Sequence, residues 1–348
     1  MSKSKEKGSI FGSSWVKTVR ESEVIDKIDR AFRLRRDLSR ELRLGIGDDA
    51  AVFRPRASHE MLLTCDWLLE GTHFLRERHP PDSVGWKCLA RALSDIAAMG
   101  GVPRCFLLSL ALPDSHTGRW LDEFLAGLGR ASRKFGCVLA GGDTTRRREI
   151  SVNAMVVGDV RTGRAVSRSG ASPGELIYVS GHLGEADLGL QVLRQSRGLG
   201  NPKRAVTRKH LYPEPRLALG QWVAEKRLAS SMMDLSDGLS SDLLRLCAAS
   251  GVGACLESET IPCLRNPDIA RKHGLDPLRL ALHGGDDYEL LFTVPLRKAK
   301  LLPRAFQGLP LTPIGKITKE SKVVWRDENG REQPLAAEGW DPFRQSGT

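Results

Sequence analysis

No run of 18 apolar residues occurs anywhere along the chain, so a membrane-spanning helix is not expected. The basic start, Met1 to Gly12, lacks the apolar core of about 7 to 15 residues that a secretory signal needs. A cytoplasmic setting without membrane contact is the expectation. Cysteine usage points the same way. Cys65, Cys88, Cys105, Cys137, Cys247, Cys255 and Cys263 form no Cys-x-x-Cys pair and sit among apolar neighbours, as reduced core thiols do. Also missing are a G-x-x-x-x-G-K-[ST] loop and the H-R-D and D-F-G sets, which removes the P-loop and protein-kinase readings.

Basic charge is present without the pattern that nucleic acid requires. The formal net charge is +11. Lys3, Lys5 and Lys7 read as a basic tail, and Arg33, Arg35, Arg36, Arg40 and Arg43 as one solvated segment. No basic stretch is interleaved with aromatic residues as a stacking platform would be, so nucleic acid is not the expected partner. Phosphorylated small molecules account for the excess equally well.

Aspartate in repeated short clusters is what the chain does contain. Gly47-Asp48-Asp49, Asp66, Asp95, Gly142-Asp143, Asp234-Leu235-Ser236-Asp237 and Gly284-Gly285-Asp286-Asp287 each stand where an apolar stretch meets a turn or helix. Carboxylates at the ends of buried elements tend to converge, and a close unneutralised pair repels by roughly 4 kcal/mol at a near-surface effective dielectric. Cations must join them. Oxygen ligands without His or Cys point to Mg²⁺, which completes its octahedron with water and substrate phosphates. For any single Asp a structural role competes: Asp237 is placed as a helix N-cap, and Asp143 as an Asx-turn residue. The frequent adjacent glycines favour close approach of a ligand to the backbone, which capping does not need.

At 348 residues with 41% hydrophobic content, two domains are expected rather than one core. Val24, Ile25, Ile28, Ala31 and Phe32 have helical spacing, as do Trp86, Leu89, Ala90, Leu93, Ile96 and Ala97 ahead of a stop at Gly100-Gly101, and Leu121 to Phe135. Met61–Thr64, Cys105–Leu112, Cys137–Leu139, Ile150–Val157, Leu176–Val179 and Leu290–Val294 read as strands, and residues 318 to 333 as a surface hairpin. Residues 158 to 174 lack apolar periodicity and read as an interdomain crossing, giving domains of 1–160 and 161–348. The expected class is α/β (α+β), with mixed sheets flanked by helices. Gly45-Ile46-Gly47-Asp48-Asp49-Ala50 formally fits a dinucleotide fingerprint. Two aspartates would repel the pyrophosphate, and Pro55 follows too soon for a full helix.

Seven strings carry a resemblance. They are Gly45 to Ala51, Thr64-Cys65-Asp66, Glu70-Gly71-Thr72-His73-Phe74, Leu93 to Gly100, Gly141 to Thr145, Asp234 to Leu239 and Gly284 to Leu290. In order and approximate spacing, from about residue 20 to Trp340, the chain resembles the bacterial thiamine-monophosphate kinase family, within an aminoimidazole-ribonucleotide-synthetase-like superfamily. The resemblance implies transfer of the ATP γ-phosphoryl group to thiamine monophosphate, and a homodimer joined through N-terminal sheets. It implies that Asp49, Thr64, Cys65, Asp66, Asp95, Asp143, Asp234 and Asp237 bind several Mg²⁺ ions. Gly142, Asp143, Arg168 and Ser236 then contact ATP, and His73, Asp286 and Trp340 contact the acceptor.

Two positions depart from the family pattern. Cys65 stands where a hydroxyl residue is common, so a Mg²⁺ contact there would use the backbone carbonyl. Asp286 stands for a frequent Glu, one methylene longer. No general base is implied, because a phosphate monoester with a second pKa of about 6 is already largely dianionic at neutral pH. For His73 the competing role is to satisfy a strand-end backbone group, and for Trp340 it is packing. Rival functions are another ATP-dependent superfamily enzyme, of cyclase or selenophosphate-synthetase type, or a non-catalytic nucleic-acid-binding or regulatory protein on the same fold. The selenophosphate type would need a reactive Cys in a Gly-rich N-terminal segment, and no Cys precedes Cys65.

Overall fold

Apolar spacing at the start of the described chain builds helix α1 (Glu21–Phe32), which buries Val24, Ile28 and Phe32. The computed structural model describes residues 20–32, 41–195, 198–199 and 205–344. The basic tail with Lys3, Lys5 and Lys7, the arginines at 33, 35, 36 and 40, and the carboxyl-terminal residues 345–348 lie outside them. A short ribbon, β1 (Leu42–Leu44) paired with β2 (Val52–Phe53), carries the Gly45–Ala51 string between its strands. Next come β3 (His59–Leu69), α2 (Pro81–Ala98), β4 (Val102–Leu112), α3 (Arg119–Phe135), β5 (Val138–Arg146) and β6 (Ser151–Arg161). The last four of these strands form one sheet in the order β3-β6-β4-β5, with only the β4–β5 pair parallel.

Burial alternates along β3, as a half-covered sheet demands: Leu62 and Leu68 are buried, whereas Leu63 is 70% and Trp67 53% exposed. Helix α2 lies against the covered face and in turn packs on α3. Their crossing is close enough that a Cβ on Gly85 would stand 2.0 Å from the carbonyl oxygen of Phe124, and one on Gly127 1.8 Å from that of Asp82. Any side chain there would push the helices apart. The crossing thus fixes the face that α2 turns toward the second half of the molecule.

After residue 161 the chain builds a second sheet. Its elements are β7 (Leu176–Ser180), α4 (Glu185–Gln195), α5 (Ala205–Leu211), α6 (Leu217–Glu225), β8 (Ser231–Asp234), α7 (Leu239–Ser250), β9 (Gly253–Glu257), α8 (Pro267–Lys272), α9 (Pro277–His283), β10 (Leu290–Val294), α10 (Leu296–Ala299), β11 (Ala305–Phe306), β12 (Leu309–Thr318), β13 (Val323–Arg326) and β14 (Glu332–Pro334). Seven strands run in the order β14-β13-β9-β12-β7-β10-β8, and β11 joins the edge of β12 as an eighth. Strand β10, flanked by β7 and β8, is buried at all five positions, as an interior strand covered on both faces must be. Among the described residues, no helix is long and apolar enough to cross a membrane.

Several details differ from the sequence reading: β3 runs from His59 to Leu69 rather than Met61 to Thr64, and residues 158–161, expected in the interdomain crossing, complete β6 through pairing with β3 and β4. Strand β5 does not stop at Leu139 but continues through Gly141-Gly142-Asp143 to Arg146, because parallel pairing with β4 holds it. Asp143 therefore lies opposite Ser109 inside a strand rather than in an Asx-turn. The expected hairpin at 318–333 is only partly one, since β13 pairs with β14 but also runs parallel to β9 as a sheet member.

Candidate active site

Helix α2 carries a polar stripe at four-residue spacing, Lys87, Arg91 and Asp95, on an otherwise largely buried cylinder. Strand β3 meets this stripe: Thr64 Oγ1 donates to Asp95 Oδ2 at 2.5 Å, and Asp66 Oδ1 lies 3.9 Å from an Arg91 guanidinium nitrogen. Alternation along the strand sends Cys65 to the opposite, exposed face. The Cys65 thiol therefore points away from Thr64 and Asp66, which leaves the backbone carbonyl as the only part of Cys65 that could serve as the expected oxygen ligand. Where β3 ends, the Leu69 amide donates to His73 Nδ1 at 3.0 Å. The strand-end role is therefore real for His73. It also fixes the tautomer: burial, then Arg91, push the His73 pKa down to about 4, so the ring is neutral with its proton on Nε2.

The second half supplies two facing loops. Strand β8 ends at Asp234, and residues 235–238 turn into α7. That turn is braced by Asp242, whose Oδ2 accepts from the amides of Ser236, Asp237 and Gly238 at 3.1, 3.0 and 3.2 Å. Asp237 is not the N-cap of α7, because Gly238 holds that position and makes no side-chain cap bond; Asp237 pairs instead with Arg245. Across from it, the Asp286 amide donates to the Ser236 carbonyl and the Tyr288 amide to the Leu235 carbonyl, both at 2.8 Å.

Asp286 and Tyr288 both adopt positive φ, +67° and +51°. Such backbone costs about 1 to 3 kcal/mol per residue and persists only where surrounding contacts impose it. Here Lys87 Nζ reaches Asp286 Oδ2 at 2.7 Å, and the Tyr288 hydroxyl donates to Oδ1 at 2.7 Å. Burial would raise the Asp286 pKa, but the cations Lys87 and Arg91 outweigh it and hold the carboxyl well below its ordinary range. The neighbouring acids do structural work. Asp287 accepts from the Gly184 and Ala186 amides at the start of α4, and Glu289 pairs with Arg216 and Lys209.

Between the halves lies a cavity of 590 Å³ lined by Asp66, Asp95, Asp234 and Asp237. His73, Ser236, Asp286 and Trp340 also line it. Trp340 is 45% exposed and belongs to no core cluster, which sets aside the packing role for its ring. Its amide donates to the Asp237 carbonyl at 2.8 Å, so the C-terminal segment is pinned to the acidic turn. Outside the cavity stand Asp49, Gly142, Asp143 and Arg168, all exposed, and Thr64 and Cys65 on β3. Arg168 is nevertheless near enough to lower the Asp95 pKa.

The four-residue stripe on α2 is visible in the sequence, but there it looks like an ordinary solvated helix face. It adds Arg91 to the cavity wall, and His79 and His210 join it from behind. Asp237 has Arg245 as its cation, whereas Asp95 and Asp234 have no ion-pair partner among the described residues. Burial first, then Asp66, push the Asp95 pKa up to about 6; burial and Asp95 push Asp234 well above its ordinary value. Among the described residues no group of three His, Cys, Asp or Glu stands ready to hold a metal ion. Mg²⁺ takes few protein ligands and completes its shell with water and phosphate, so these unneutralised oxygens fit it. No cysteine lines the cavity, and burial pushes the pKa of nearby Cys88 up to about 12.

Comparison with known proteins bears on this geometry. The family described as AIR synthase related protein, N-terminal domain, matches residues 47–160, and its C-terminal domain matches residues 172–327. The chain is 38% identical over 323 residues to thiamine-monophosphate kinase of Escherichia coli, covering 91% of this chain and 97% of that one. The crystal structure of thiamine-monophosphate kinase from Stenotrophomonas maltophilia is similar with TM-score 0.76 and 34% identity, covering 89% and 96% of the two chains. AaThiL complexed with AMPPCP and TMP is similar with TM-score 0.74 and 32% identity, covering 94% of this chain and all of that one.

Proposed function

This chain belongs to the AIR synthase related proteins and, within them, to the thiamine-monophosphate kinase family, and from that premise we propose that it transfers the γ-phosphoryl group of ATP to thiamine monophosphate, giving thiamine diphosphate and ADP. One observation carries the reading: a single cavity lined by Asp66, Asp95, Asp234 and Asp237 together with His73, Asp286 and Trp340, drawn from both halves of the chain. The unit boundary we propose falls between residues 160 and 161, at the end of the first sheet.

The chemistry is direct in-line transfer. Mg²⁺ would be held by Asp66, Asp95, Asp234 and Asp237, with Asp49, Thr64, Asp143 and the Cys65 carbonyl as further oxygens, and when bound it offsets the charge of two approaching anions. Gly142, Asp143, Arg168 and Ser236 are assigned to ATP. His73, neutral and protonated on Nε2, donates a hydrogen bond to the acceptor rather than removing a proton from it. The acceptor phosphate is already an anion, so no base is required. Asp286 is committed to Lys87 and Tyr288, and it shapes the acceptor side as a fixed negative charge near a cationic ring.

We also propose a cytoplasmic homodimer. Leu63 and Trp67 leave an apolar strip on the outer face of the first sheet, which a second copy of that sheet would cover. The deciding assay incubates the purified protein with ATP, thiamine monophosphate and Mg²⁺ and identifies the products. Thiamine diphosphate and ADP in equal amounts are expected; ATP consumption without thiamine diphosphate would sink the reading.

A further inference from the structure

Arg91 is a buried cation with no partner at hydrogen-bond distance among the described residues. Its side chain is 14% exposed, it lines the cavity, and its Nε is buried without a hydrogen bond. Its terminal nitrogens reach Asp66 at 3.9 Å and Asp286 at 4.0 Å, both beyond hydrogen-bond distance. Burying a guanidinium without satisfying its donors is costly, and a structural role would draw those carboxylates in to bonding distance. Lys87, one turn earlier on the same face, does so with Asp286 at 2.7 Å. Arg91 thus stands on the cavity wall between Asp66, among the carboxylates proposed to hold metal, and Asp286 on the proposed acceptor side.

We infer that Arg91 binds the phosphate of the acceptor, so that it selects a phosphorylated thiamine over the free alcohol. This rests on the kinase reading above. In that reading the two reacting phosphates meet beside the acidic cluster, and the organic part of the acceptor extends toward Asp286 and Trp340. The acceptor phosphate then lies between Asp66 and Asp286. A guanidinium there offers two parallel N–H donors to phosphate oxygens, which is the strong bidentate arrangement. It also adds a positive charge where two anions must approach.

The test is equilibrium binding of thiamine monophosphate and of thiamine, without ATP, to the wild-type protein and to Arg91→Gln and Arg91→Lys, with melting temperatures and the KM for ATP measured alongside. Arg91→Gln is expected to weaken thiamine monophosphate roughly 10- to 100-fold, as for lost charged hydrogen bonds, and to leave thiamine within about twofold. Arg91→Lys keeps the charge without the fork and falls between. Equal weakening of both ligands, or unchanged binding of thiamine monophosphate in folded Arg91→Gln, overturns the inference. If the wild-type protein binds neither thiamine compound, the kinase reading fails, and phenyl phosphate then decides on Arg91 alone: binding lost in Arg91→Gln supports the phosphate site, and binding retained, or absent from the wild type, overturns it.

Discussion

Lys87 and Asp286 lie 199 positions apart in the chain, yet their charged atoms meet at 2.7 Å and join helix α2 to the strained loop of the second half. Lys87 is 1% exposed. Burial lowers its pKa and Asp286 opposes that shift; the carboxylate, with Tyr288 and Arg91 beside it, is held ionised. The pair therefore sets where the two halves stand as well as the backbone of Asp286.

Removing one partner of such a pair leaves the other buried and unpaired. Lys87→Met is expected to lower the unfolding free energy by about 3 to 5 kcal/mol, and Lys87→Met with Asp286→Asn by less than the sum of the single changes. Urea denaturation of the four proteins in the cycle measures this. Additive effects would mean that the two residues are not coupled.

A pH dependence follows from the histidines behind the cavity. His79 Nε2 lies 3.0 Å from His210 Nε2, so at most one of these nitrogens carries a proton. Burial and Lys87 push the His79 pKa down to about 4, and burial and Lys87 push His210 well below its ordinary value. Both groups stay neutral in the folded protein while the unfolded chain takes up protons near pH 6.5. Their contribution to stability is thus fully present above about pH 6.5 and is lost as pH falls toward about 4, at about 1.4 kcal/mol per unit for each group. His79→Gln should flatten that slope between pH 6.5 and 5. An unchanged slope in denaturant titrations would show that the pair does not control it.

How much of this was legible depends on whether a feature is local. Helix α2 followed from its three- and four-residue apolar spacing and its Gly100-Gly101 stop, and six of the cavity-lining candidates, Asp66, Asp95, Asp234, Ser236, Asp237 and Asp286, lie in the acidic strings, whereas His73 and Trp340 rest on the family resemblance alone. Strand β5 was cut short in the reading because glycines punctuate a local pattern, whereas its pairing to β4 is a long-range fact. Lys87 and Arg91 were passed over because, on a chain of net charge +11, a cation on a helix reads as solvated. Their burial depends on long-range neighbours, His210 from α5 beside Lys87 and Asp286 from the far half beside both. Asp242 shows the converse, since its three amide bonds depend on the shape of the turn it braces.

Asp95 separates a metal-binding role from a structural one. Its charge is opposed by burial and by Asp66, and Thr64 supplies its hydrogen bond. Asp95→Asn keeps the size and an oxygen for Thr64 but removes the charge. Turnover is expected to fall at least about 100-fold, as for loss of a group that stabilises transition-state charge, with the melting temperature unchanged or higher. Rates across a Mg²⁺ titration, run beside melting curves, read both. Near-normal turnover at ordinary Mg²⁺ would remove Asp95 from the metal site.

Trp340 is held by its backbone and leaves its ring 45% exposed at the cavity mouth. A buried packing aromatic costs about 3 to 5 kcal/mol when cut to Ala, but a ring this exposed and outside the core should cost far less. If its face receives the cationic thiazolium, Trp340→Ala should raise the KM for thiamine monophosphate roughly five- to thirtyfold, equivalent to about 1 to 2 kcal/mol of cation–π contact. The KM for ATP and the melting temperature should hardly move. Trp340→Phe keeps a weaker π face and should recover part of the loss. Because the Trp340 amide also pins the C-terminal segment to Asp237, a disturbed turn would instead raise both KM values together. Comparing the two constants across Ala and Phe therefore reads ring stacking apart from backbone anchoring, and an unchanged KM for thiamine monophosphate in Trp340→Ala would take the ring out of the acceptor site.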